Sequence, residues 1–158
     1  MGTYRDACKA GRFVVSGEIG PPKGTNVEKM LHHIDMLKDR VDGLNVTDNQ
    51  SAVMRMGSLA VSGEIVRRGG DPIFQTTCRD RNRLGIQGAL MGAAAMGVRN
   101  LLALRGDDPT QGDQPETKPV FDLDARGLLQ TAARMRDAGE LPSGKKIGGS
   151  GKQPRPAT

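Results

Sequence analysis

Three short stretches hold side chains that could do chemistry. Glu18 stands in Gly17-Glu18-Ile19, between small and apolar neighbours. A carboxyl group so placed is expected to be partly desolvated, which raises its pKa and suits a general acid near neutral pH. The plain alternative is an exposed loop carboxylate. Arg105-Gly106-Asp107 joins a guanidinium fork for phosphate or carboxylate, a residue without a Cβ that lets a ligand reach the backbone, and a carboxylate that can accept from ring N–H groups. The same triplet can equally be a salt-bridged turn. Thr47-Asp48-Asn49-Gln50 offers a hydroxyl, a carboxylate and two amides, or an ordinary polar loop with an Asx turn.

Other polar groups are weaker candidates. His32 and His33 are adjacent on a helical pattern and cannot both face one metal; they read as surface or helix-packing residues. Arg79, Arg81 and Arg83 alternate with Asp80 at a strand–helix junction, which reads as a solvated helix start rather than a nucleic-acid patch. Cys8 and Cys78 fit no metal or redox spacing, so a reducing cytoplasm is the expected setting.

The elements that must position these groups follow from periodicity. Apolar runs at Phe13-Val14-Val15, Gly43-Leu44-Asn45-Val46, Pro72-Ile73-Phe74 and Asn100-Leu101-Leu102-Ala103-Leu104 recur about every 30 residues, the length of a βαβ unit. Between them Val27, Met30, Leu31 and Ile34 show helical spacing, as do Met56, Leu59, Ala60 and Gly63. Ile86, Leu90 and Ala93 mark a third helix, and Leu128, Ala132 and Met135 a fourth. Thr25 with Glu28 predicts a capping box, while Gly69-Gly70 and Gly97 sit where helices should stop. The fold class is α/β, a parallel (β/α) repeat with helices outside the sheet.

An open dinucleotide-binding sheet would need G-x-G-x-x-G after the first strand. Residues 17–24, Gly-Glu-Ile-Gly-Pro-Pro-Lys-Gly, do not fit it, and Lys23 precedes Gly24, so a P-loop fails too. Polar residues gather instead at the C-terminal ends of all four strands: Glu18, Thr47-Asp48, Thr77, and Arg105 with Asp107. That is where β/α barrels carry their chemistry. About four units are present, and a complete (β/α)8 barrel needs roughly 250 residues. The expectation is half of a TIM-type barrel over residues 1–147, followed by a flexible tail over 148–158.

Composition narrows the function classes. Aromatic residues make up only 3% of the chain, with no Trp, so a stacking platform for nucleic acid is excluded. The net charge of +5 is concentrated at the end: Lys145, Lys146, Lys152 and Arg155 face no acid, leaving 19 bases against 18 acids in the rest. A polyanion-binding role through that tail ranks last. With no long apolar run, no membrane association is expected.

Taken together, the stretch 16–24, Ser-Gly-Glu-Ile-Gly-Pro-Pro-Lys-Gly, then Val46-Thr47-Asp48 and the stretch 103–109, Ala-Leu-Arg-Gly-Asp-Asp-Pro, resemble methylenetetrahydrofolate reductases. The resemblance runs from about residue 11 to about residue 147. It implies an eight-stranded β/α barrel holding a flavin, usually FAD with FMN as the variant, at its C-terminal face. Glu18 then matches the family's proton donor to the folate ring nitrogen, and reduced flavin supplies the hydride that yields 5-methyltetrahydrofolate. Asp107 matches the acid beside flavin and pterin, so Glu18 and Asp107 are the implied catalytic and folate-binding pair. Arg105, Gly106, Thr47, Asp48 and Gln50 match flavin contacts, and Phe121 and Asp122 fall where another contacting pair lies. Gln75 stands where some relatives carry His, and Asp48 where some carry Tyr. The implied electron donor is NADH, NADPH or a partner protein.

Contacts that the family takes from strands five to eight have no counterpart here. Weak flavin binding by the chain alone is therefore expected, with a homo-oligomer or a larger complex closing the barrel. The alternative from another class is a non-catalytic half-barrel that scaffolds or regulates a complex.

Overall fold

The computed structural model describes residues 4–148; all of the expected tail except Gly148 lies outside them. A short helix α1 (Tyr4–Lys9) precedes four β/α units: β1 (Ser16–Ile19), α2 (Glu28–Leu37), β2 (Gly43–Val46), α3 (Ser58–Arg67), β3 (Pro72–Thr77), α4 (Arg83–Ala95), β4 (Asn100–Leu104) and α5 (Ala125–Asp137). All pairings are parallel and the sheet order is β1-β2-β3-β4. The α/β class and the parallel repeat are therefore as the periodicity predicts.

Alternation along each strand divides the sheet into two unlike faces. Register places Ile19, Leu44, Val46, Phe74, Leu101 and Ala103 on the face that meets the helices. There Ile19, Leu44 and Val46 pack with Met30, Ile34, Val61 and Ile65, and Phe74 packs with Ala93 and Val98. A third cluster joins Ile86 and Leu90 of α4 to Leu128, Ala132 and Met135 of α5. Burying side chains of this size contributes about 1.5–3 kcal/mol each. The other face is mixed: Ser16, Glu18, Asn45, Gln75, Thr77 and Asn100 lie beside Ile73, Leu102 and Leu104.

Chain ends of the helices explain themselves locally. Gly69 and Gly97 adopt φ of +80° and +84°, the left-handed conformation that stops α3 and α4 as predicted. Asn82 and Asp124 cap α4 and α5 by accepting from Gly85 N and Gly127 N.

Two expectations are corrected. The first strand runs through Ser16–Ile19 rather than Phe13–Val15. Phe13 is 87% exposed, and Val15 N instead donates to the Asp42 carboxylate, so the apolar run is an extended lead-in. Glu18 therefore lies within β1, not in the loop after it. The capping box also fails: Val27 holds the N-cap position of α2 without a side-chain bond, and Asn26 Oδ1 accepts from Glu28 N. Helix α1, whose periodic signal is too short to read, seats Tyr4 over Gly43, where a Cβ would come within 2.8 Å of the ring.

This core predicts a sharp contrast. Phe74→Ala should lower the free energy of unfolding by about 4 kcal/mol, whereas Leu129→Ala on the exposed side of α5 should change it by about 0.5 kcal/mol or less. Urea denaturation of both variants checks it.

Candidate active site

Because all four strands run parallel, their C-terminal ends share one edge, and that edge is where the backbone is strained. Among the described residues the non-glycine positions with positive φ are Asn49 (47°), Ser51 (57°), Ala52 (56°) and Phe121 (43°). All lie in loops that follow β2 or β4. Left-handed backbone at such residues costs about 1–3 kcal/mol each and persists only where surroundings enforce it.

The enforcing groups are ionic. Asp48, directly after β2 and 3% exposed, accepts from Thr77 N at 2.9 Å and from Arg81 Nη1 at 2.6 Å through one oxygen. Its other oxygen accepts from Ser58 Oγ and Arg81 Nη2, both at 3.2 Å. Arg79, also 3% exposed, pairs through Nε and Nη2 with both oxygens of Asp80 at 2.6 and 2.9 Å. Burial works to raise the Asp80 carboxyl, but hydrogen bonds from Arg79 and Asn49 and the nearby guanidinium charges outweigh it and hold it below the usual range. Arg83 binds Asp122 through Nε and Nη2 at 2.8 and 2.7 Å, and its main-chain N–H donates to the same carboxylate. The expectation of a solvated helix start holds for exposed Arg83 and is corrected for Arg79, which is buried; each of Arg79, Arg81 and Arg83 holds a carboxylate. His32 and His33 are exposed, as read from the sequence.

The stretch after β4 is fitted closely. Gly106 has φ +95°, and a Cβ there would lie 2.8 Å from Arg79 Cβ and 3.2 Å from Thr77 Cβ. Arg105 lays its guanidinium over the Phe121 ring at 4.3 Å, a cation–π contact. Asp107 Oδ2 accepts from Ser51 N at 2.7 Å, tying the loop after β4 to the one after β2. A cleft of about 260 Å³ opens beside these loops, bordered by Asn49, Met54, Asp80, Pro109 and Lys118.

The sequence-predicted residues are placed unequally. Glu18, Thr47, Gln75, Arg105 and Asp107 share the polar face or the mouth of the sheet, with Gln50 exposed in the short 3₁₀ turn Gln50–Ala52. The carboxylates of Asp48 and Asp122 are engaged inside the protein. Glu18 is exposed, so the desolvation expected from its neighbours is absent in the four-stranded sheet. Sequence reasoning named Asn49 only as part of a polar loop and read Arg79 and Asp80 as a solvated helix start; the alternating Arg79-Asp80-Arg81 directly after a strand end was the available signal for their role here.

One buried hydroxyl stands out. Thr47 Oγ1 is buried without a hydrogen-bond partner, one of two such side-chain atoms among the described residues; the other is Ser62 Oγ in α3. Thr47 continues the polar face of β2 one step beyond Asn45, next to Gln75. A buried hydroxyl without a partner is uncommon and sets this position at the mouth apart from its neighbours.

A sequence model of the family described as methylenetetrahydrofolate reductase matches residues 3–132. The chain belongs to that family. Comparison with curated proteins yields no match. Membership makes this methylenetetrahydrofolate reductase relative an oxidoreductase by family, with one-carbon metabolism as its setting. The matched span contains every candidate side chain described above.

Two measurements follow from the ionic pairs. Asp48→Ala would strand Arg81 and should destabilise the fold by about 3 kcal/mol in denaturant unfolding. Asp122 is held down to about 2, chiefly by its hydrogen bonds from Arg83, so its tie persists through mild acid and is lost as pH falls through about 2. An NMR titration should show that midpoint, and Arg83→Gln should return it toward the ordinary carboxylate range.

Proposed function

We propose that the chain carries the proton-donating half of a flavin-dependent methylenetetrahydrofolate reductase site, reducing 5,10-methylenetetrahydrofolate to 5-methyltetrahydrofolate. The supporting observation is the assembly, on one sheet edge within the family match, of Glu18, the unpartnered Thr47 hydroxyl and the Arg105–Asp107 turn. FAD, or FMN in its place, would supply hydride chemistry when bound. Thr47 and Gln75 would meet polar edges of the flavin, Gly106 would let it approach the backbone, and Arg105 with Phe121 would flank it. Gln50 and the main chain at Asp48 and Asp122 complete the proposed cofactor contacts. Glu18 holds a proton at its carboxyl oxygen and gives it to the folate ring nitrogen, while Asp107 accepts from the pterin. The electron donor is NADH, NADPH or a protein.

In this reading the described residues up to Ile147 form four units of a (β/α)8 barrel; of the segment 148–158 all but Gly148 lies outside the described residues. A cytoplasmic setting is part of the same proposal; separately, no helix among the described residues is long and apolar enough to cross a membrane. A second reading, a non-catalytic half-barrel that scaffolds a complex, is favoured by one observation. Strands β1 and β4 each have one unpaired edge among the described residues, and Leu102 is exposed between the sheet's polar groups.

The test is an absorbance spectrum of the full chain after adding FAD and desalting. A retained band near about 450 nm, a property of the oxidised cofactor, supports the flavin site. Glu18→Gln should then keep the flavin while folate oxidoreduction falls by about 10²–10⁴-fold, the usual weight of a general acid. A colourless wild type, or a Glu18→Gln variant with full activity, would favour the scaffold.

A further inference from the structure

We propose that Arg79 is a positioning residue whose guanidinium fixes two loops of the mouth, those after β2 and β4, in one geometry, an inference that rests on the flavin reading of that mouth. Its guanidinium lies at the end of β3, between the loops that follow β2 and β4. Beyond its two bonds to Asp80, Nη1 donates to the Asp107 carbonyl at 3.2 Å and Nη2 to the Asn49 carbonyl at 3.3 Å. Each of these carbonyls belongs to strained or tight backbone: Asn49 itself is left-handed, and Asp107 follows left-handed Gly106. A third segment is held from the main chain, because Val120 N donates to the Arg79 carbonyl at 2.8 Å, one residue before strained Phe121.

The side-chain stem takes part as well. Its Cβ fills the space a side chain at position 106 would need. The two loops also touch directly: Met54 N donates to Asp113 Oδ1 at 3.0 Å, and a Cβ on Gly112 would come within 2.0 Å of the Ala52 carbonyl oxygen. That close fit exists only in one relative placement, and the guanidinium selects it.

A stability role alone explains this poorly. Replacing both partners of a buried ion pair by apolar groups is often neutral or favourable, so the Arg79–Asp80 pair as such adds little net stability, although removing Arg79 alone leaves Asp80 without its main partner. Its planar fork reaches acceptors in several directions at once, which a lysine ammonium on a flexible stem does not reproduce.

The experiment uses the full chain in four forms: wild type, Arg79→Met, Arg79→Lys, and Arg68→Met as a control that removes an exposed pair with Asp35 far from the mouth. FAD titration by flavin fluorescence is read beside amide hydrogen exchange. In Arg79→Met the Kd for FAD should rise about tenfold, as expected if the binding-competent loop arrangement falls to about a tenth of the population. Exchange at Ser51 N and across 105–112 should quicken while β2 and β3 keep wild-type protection. Arg79→Lys should recover only part of both effects, and it decides the matter if Arg79→Met does not fold. Arg68→Met should match wild type. Unchanged Kd and loop exchange, full recovery by lysine, or protection lost equally in loops and strands would overturn the proposal. A wild type that binds no FAD would instead overturn the flavin reading, and loop exchange would still show whether Arg79 clamps the mouth.

Discussion

A charged group removed from water must have its charge met by the protein, and Asp48 sets that demand at the centre of this fold. Its side chain is only 1% exposed and sits directly after β2. Thr77 N, Thr77 Oγ1, Ser58 Oγ and both terminal nitrogens of Arg81 all donate to it there. These donors come from the end of β3, the start of α3 and the approach to α4. One carboxylate thus dictates where three successive segments leave the sheet. Breaking such a set costs more than forming it yields, because a lone buried charge has nowhere to go.

The consequence is a division of labour across the sheet. On the helix side, apolar clusters supply the stability that holds β1 to β4 in register. At the C-terminal edge, ion pairs replace apolar packing and tolerate backbone that would otherwise relax. Four left-handed non-glycine residues survive there because hydrogen bonds on either side leave them no alternative. The close approach of Gly106 to Arg79 belongs to the same arrangement: a side chain at 106 would push the clamp open. Rigidity at the mouth is therefore electrostatic in origin, while rigidity of the sheet is hydrophobic.

This division explains what the sequence disclosed. Helical spacing of Ile34, Leu90 and Leu128 reports burial on one face, and burial is what those residues do. In α3 the stripe read through Met56, Leu59, Ala60 and Gly63 is off the core face, since Met56 precedes the helix, Ala60 is exposed, and Val61 and Ile65 are the buried apolar pair. Glycines at 69 and 97 were legible because only a left-handed stop suits them. Strand β1 was misplaced because Phe13, Val14 and Val15 carry the hydrophobic signal, whereas Ser16-Gly17-Glu18-Ile19 forms the ladder through its pairing with β2. Long-range pairing leaves no local mark. The ionic lattice was hidden for the same reason: Asp48 and Arg81 are 33 residues apart, and nothing near either one names the other. Candidate residues at strand ends were found by position, but whether a carboxylate faces a ligand or a guanidinium is decided by tertiary neighbours.

The polar face of the sheet bears on how the site could work. Ser16, Glu18, Asn45, Gln75 and Thr77 are an unusual set for one face of a parallel sheet, since such sheets are normally covered by apolar layers on both sides. Asn45 Nδ2 answers Ser16 Oγ at 3.1 Å, and Thr77 is taken up by Asp48, but Thr47 Oγ1 has no partner. A face so constituted gains little from being buried against another apolar layer, because its hydroxyls and amides would each need a new partner. It gains more from a ligand with polar edges and a flat apolar body, which can answer Thr47 and Gln75 and still lie against Leu102 and Leu104. Glu18 is exposed at the margin of that face and would leave bulk water only when the face is covered. In the proposed reading, covering the face and proton delivery by Glu18 are one event, with the proposed clamp around Arg79 already holding the remaining groups in place.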